Sequence, residues 1–125
     1  MRVLGSTRLP VMIHPEFWSR RRISFPVLFT ADFPITSRGA LEEMGFTIVE
    51  ERQPSFLRDG ALLITGEVDR ETPFEPGFPG HQALREDGWQ PDPLILDDQA
   101  LVFSLGDRGL VVSGCGQAGI VNTVR

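Results

Sequence analysis

This chain has no lysine; all twelve of its basic residues are arginine. That excludes Schiff-base chemistry on a lysine amine and a Walker-type phosphate loop, since both need the ammonium group. The single cysteine, Cys115, excludes an internal disulfide. There are two histidines, His14 and His81, far apart in the chain and in no H-x-H or H-x-x-x-H spacing, so no local segment presents two imidazoles to one metal ion. No apolar run approaches membrane-spanning length, and the first residues lack a secretory pattern, so a soluble cytoplasmic protein is expected. A net charge of -5 and a pI near 4.9 argue against nucleic acid or an anionic membrane as partner.

What is present suffices for one domain: 125 residues, 41% of them hydrophobic, with nine phenylalanines. Residues 9–13 read as a short buried strand that ends at His14-Pro15, because proline biases its predecessor toward extended geometry. Residues 16–22 read as a helical turn with Phe17 and Trp18 inward and Arg20, Arg21 and Arg22 as the only basic run, either a solvated face or a phosphate clamp. Ser37 caps a helix over 37–44 that Gly45 ends. Residues 46–50 alternate as a strand, and 55–57 and 61–65 form a hairpin across Asp59-Gly60. Residues 72–93, with five prolines, read as a long irregular loop carrying His81 as an exposed histidine. Strands are expected at 100–104 and 110–113, followed by a glycine loop and a helix over 118–124. One helix against several strands suits part of a layered α/β sandwich.

Chemistry should sit where strands end. Glu67, Asp69 and Arg70 follow directly on a strand, where Arg70 can hold a phosphate or carboxylate and Glu67 can orient it, or the two can form an ordinary surface ion pair. Asp97 and Asp98 are adjacent, so on a strand they face opposite ways and do not make an acid-base pair; they serve a pocket or a turn. Cys115 in the glycine loop is either a nucleophile or a small packed side chain.

The runs DDQALVF and GLVVSGCGQAGIVNTV, with HPEFW at 14–18 and TGEVDRETPFE at 65–75, resemble the metallo-β-lactamase-fold hydrolases, in particular the dihydropterin-ribofuranosylaminobenzene-phosphate synthase-like branch. In that branch the loop reads G-C-(S/A/G)-H-A-G-I-x-N-T and its histidine is a metal ligand; here Gln117 holds the position as a degenerate ligand. The resemblance implies a single partial αββα sandwich over 1–125, with the family's H-x-H-x-D-H motif before residue 1 and its later ligands after residue 125. It implies zinc, iron or manganese pairs in complete relatives, none held by this chain alone, and a phosphoester or pterin-like substrate contacted by Glu67, Arg70 and His14. A fragment of a hydrolase that is not catalytic by itself is the reading that follows. The rival is a non-catalytic scaffold or interaction module that self-associates or pairs with a complementing chain.

Overall fold

The computed structural model describes residues 9–125. In chain order the elements are strand β1 (Leu9–Ile13), a 3-10 turn (Pro15–Trp18), β2 (Arg21–Phe25), β3 (Phe29–Asp32), helix α1 (Arg38–Glu43), β4 (Phe46–Glu50), β5 (Ser55–Leu57), β6 (Leu62–Ile64), β7 (His81–Arg85), β8 (Gly88–Pro91), β9 (Ala100–Leu105), β10 (Arg108–Ser113) and α2 (Ile120–Val124). They form a strand-rich α/β arrangement of three sheets. β1 and β4 pair in parallel; the other two sheets are antiparallel, in the orders β10-β9-β6-β5 and β3-β2-β7-β8.

Local chemistry explains most of these elements. The Ser37 hydroxyl accepts from the amide of Ala40, and Gly45, at φ 97°, turns the chain out of α1 into β4. The β5–β6 hairpin turns through three consecutive positive φ angles, at Arg58, Asp59 and Gly60. β9 and β10 are joined by a two-residue turn at Gly106-Asp107, with Arg108 already paired to Leu105. These elements match the sequence expectation to within a residue or two.

Strand β3 has no counterpart in that expectation, and two expected segments come out differently. The helical turn expected over 16–22 stops at Trp18, and Arg21 and Arg22 lie on β2. Alternation then sends them to different partners: Arg21 to Asp92 and Asp97, Arg22 to Gln82 and the face of Trp89 at 4.2 Å. With two of its three members already engaged, the run is neither a phosphate clamp nor a uniformly solvated face. The loop expected over 72–93 is irregular only to Gly80, after which the chain forms the β7–β8 hairpin. Prolines on either side hid a hairpin whose one fully buried apolar residue is the small Ala83.

The core among the described residues is small: Ile13, Ile64, Val68, Ala83, Ile95, Ala100 and Ala118. His14 is the largest fully buried side chain. Large apolar residues lie outside, notably Leu110, Val111 and Val112 on the edge strand β10 and Ile120, Val121 and Val124 on α2. No helix among the described residues is long and apolar enough to cross a membrane.

Candidate functional site

His14 leaves β1 in extended geometry and caps the 3-10 turn; its Nδ1 accepts from the Glu16 amide at 3.0 Å. An accepting Nδ1 puts the ring proton on Nε2, which donates to Glu67 Oε2 at 2.7 Å. Arg52 Nη1 donates to the same oxygen at 3.1 Å. The 3.4 Å approach of Arg52 Nη1 to His14 Nε2 therefore joins two donors that share an acceptor, and is not a hydrogen bond. Glu67 reaches this position because Gly66, at φ 65°, lies against the Arg52 carbonyl, where a Cβ would collide, and the Glu67 amide then donates to that carbonyl at 2.8 Å.

The hydrogen bond from His14 holds the Glu67 carboxyl below its ordinary value of 4.5; burial opposes this, and Arg52 assists. A depressed carboxylate adds stability that is present above 4.5 and is lost as pH falls through the folded value. Glu67→Gln should therefore be less stable than the parent at pH 7, with a difference that shrinks as pH drops below 4.5. Urea midpoints of the two proteins at pH 7 and pH 3.5 check this, and a gap independent of pH would contradict it.

A cleft of about 480 Å³ opens beside this triad. It brings His14, His81, Asp97, Asp98, Cys115 and Gln117 onto one wall system, although their sequence spacing gave no reason for the two histidines to meet. His81 is not the exposed loop histidine the sequence suggests. It starts β7 opposite Ile23, is 7% exposed, and lies against the rings of Phe78 and Phe33 at 4.8 and 5.3 Å. Burial pushes its pKa below the usual imidazole range; Asp92 and Asp97 oppose that and Arg21 reinforces it. The adjacent aspartates have different partners. Asp97 Oδ1 lies 2.9 Å from Arg21 Nη1, an ion contact without hydrogen-bond geometry, while Asp98 Oδ2 accepts from the Ala118 amide at 2.8 Å and so pins the loop that carries Gln117. Gln99, which the sequence did not single out, donates from Nε2 to the Met12 carbonyl at 3.1 Å.

Arg70 stands apart from Glu67. Its Nη2 donates to the Ile95 carbonyl at 3.2 Å, and its Nε and Nη1 are buried without partners. Burial lowers its pKa; Asp98 and Glu67 oppose that through their charge alone. The expected orienting contact from Glu67 to Arg70 is replaced, because the Glu67 carboxylate is taken by His14 and Arg52. Cys115 is exposed and unpaired.

A metal pair does not fit the donors present. Among the described residues no three His, Cys, Asp or Glu side chains converge on a point where an ion could be held. Both ring nitrogens of His14 are already engaged, and Gln117 brings a neutral amide where imidazole would be the stronger ligand.

No family model matches the chain, and no curated protein matches it. Among solved structures, the crystal structure of a metal-dependent hydrolase of the beta-lactamase superfamily superimposes with a TM-score of 0.64 at 18% identity, covering 94% of this chain and 43% of the other. The chain thus has a fold found within the beta-lactamase superfamily of metal-dependent hydrolases, and spans less than half the length of that structure.

Proposed function

We propose that this chain is a partial and degenerate member of the metallo-β-lactamase-fold hydrolases, of the dihydropterin-ribofuranosylaminobenzene-phosphate synthase-like branch, which supplies a substrate wall but not a metal centre. One observation carries the reading: the cleft gathers His14 and Gln117, two positions of the family resemblance, on a beta-lactamase-superfamily fold whose donors do not converge on an ion. In this reading residues 1–125 are one incomplete αββα sandwich of a soluble cytoplasmic protein. Arg70, with two N–H groups lacking partners, faces the anionic end of a phosphoester or pterin-linked substrate. Glu67 and His14 brace the adjoining wall, and Gln117 marks the lost ligand. Metal-bound hydroxide would come from zinc, iron or manganese held by segments with the H-x-H-x-D-H and later motifs.

A second reading, a scaffold that pairs with another chain, draws support from the exposed apolar β10 edge and α2 surface. Elemental analysis and a chromogenic phosphodiester assay separate the two. For the first reading, the purified chain should hold no stoichiometric metal and show no turnover, and Gln117→His alone should not restore either. Adding a partner polypeptide with the missing motifs to the Gln117→His chain should restore both, and Arg70→Ala should then weaken substrate binding. Tight metal at one or more per chain, or turnover by the unmodified protein, would falsify the incomplete-site reading. Failure of every complemented mixture would leave the scaffold.

A further inference from the structure

Six buried side-chain polar atoms among the described residues lack a hydrogen-bond partner, and they are not scattered. Four of them, Arg21 Nη2, His81 Nδ1, Asp97 Oδ1 and Gln99 Oε1, belong to residues that line the same cleft. The other two are on Arg70, whose remaining hydrogen bond goes to Ile95, also part of the cleft wall. Folded proteins rarely leave such groups unmatched, and clustering at a concave, largely apolar surface points to a ligand rather than to chance.

The charges indicate what kind of ligand. Arg21 is the cationic side chain on this wall, its side chain only 9% exposed, and it is already set against Asp92 and Asp97 at 2.9 Å each. Beside Arg21 a phosphate or carboxylate would meet a neutralised guanidinium and two carboxylates, and would be repelled from that end of the cleft. A cation would find Asp97 already paired with Arg21, and Asp98, the other carboxylate of the lining, already holding the Ala118 amide. What remains without a hydrogen bond is one certain donor, Arg21 Nη2, one free acceptor, Gln99 Oε1, and the His81 nitrogen, which can act either way; Asp97 Oδ1 is in ion contact with Arg21 Nη1 but still has a lone pair with no N–H or O–H on it. A primary carboxamide has the complementary set: two N–H donors and one carbonyl acceptor. Phe17 and Phe33, with Ile13 and Ile95, supply flat apolar walls for the rest of such a molecule.

We propose that the cleft binds a neutral, planar molecule whose edge carries a carboxamide or the equivalent donor-acceptor pattern of a heterocycle, through Asp97, Gln99 and Arg21. Because the unmatched atoms are closed off just beneath the cleft lining, binding draws the Asp97 and Gln99 side chains outward by a rotation. No metal takes part, so this site stands or falls separately from the incomplete metal centre.

The test uses the chain as it is, in chelator, titrated by NMR with four small probes: benzamide, benzoate, benzamidine and inorganic phosphate. Benzamide should bind with a Kd on the order of millimolar, as expected for a fragment of its size. It should shift the amides of His81 and of residues 95–99, while the other three bind at least tenfold more weakly. Gln99→Met keeps the volume and removes the acceptor; it should weaken benzamide at least fivefold. If that variant does not fold, Phe33→Leu, at the rim, should weaken benzamide at least threefold. The proposal is overturned if no probe binds, so that the unmatched atoms serve at most buried water. It is overturned equally by benzoate or phosphate shifting the amides of His81 and of residues 95–99 as strongly as benzamide does, by benzamide shifts only elsewhere in the protein, or by a folded variant that binds benzamide like the parent.

Discussion

Replacing His14 with alanine should cost about 3 kcal/mol of folding stability, the sum of a buried ring lost and two hydrogen-bond partners left unmatched. The residue is 1% exposed and joins three segments: it ends β1, caps the 3-10 turn through Glu16, and reaches Glu67 beyond β6. Two further variants separate these roles. Asparagine places an acceptor near the position of Nδ1 and is a good cap, so His14→Asn should keep the Glu16 bond and lose the one to Glu67. Glutamine reaches nearer Nε2 and should do the reverse. Each should therefore cost less than alanine in urea unfolding at pH 7. Near-equal loss in all three would mean that packing of the ring dominates, and a loss below about 1 kcal/mol for alanine would contradict the staple altogether.

That staple shows how far the sequence could be read. The Pro15 bias placed His14 at a strand end, and Glu67 stood out because it follows directly on the 61–65 strand, so both residues were found. Their bond to each other was not legible, because 53 positions separate them and only the fold brings them within 2.7 Å. The same holds for the cleft. Gln117, Asp97 and Asp98 stood out by motif or adjacency, whereas Arg21 lay inside a basic run and Gln99 in an ordinary strand approach. A period-2 reading of residues 21–25 would have split the arginines correctly, but three arginines in a row carry no apolar contrast with which to choose strand over helix. The second histidine was misplaced for a related reason. Proline and glycine around 76–80 and 91–93 gave a loop signal strong enough to hide a five-residue strand.

At the other end of the chain, Asn122→Ala should cost about 2 to 4 kcal/mol, since three hydrogen bonds, two of them buried, go at once. Asn122 is 6% exposed; its Oδ1 accepts from the amides of Glu71 and Thr72 at 3.0 and 2.9 Å, and its Nδ2 donates to the Ala118 carbonyl at 2.9 Å. The return contact comes from Glu75, whose carboxylate accepts from the amides of Val121 and Asn122 and from the Thr72 hydroxyl. Five residues of α2 are too few to hold a helix by themselves, so the 71–75 segment fixes it from outside. Gly119, at φ 92°, belongs to the same lock, because a Cβ there would strike the Glu75 carboxylate. Asn122→Ala and Gly119→Ala should therefore raise hydrogen exchange together at the amides of 71–72 and of α2, from opposite sides of one contact. They should also reach the cleft, since Ala118 is held by Asn122 on one side and by Asp98 on the other, next to Gln117. If exchange rises at α2 alone, with the amide of Ala118 still protected, the helix is locked independently of the loop and its tie to the cleft wall fails.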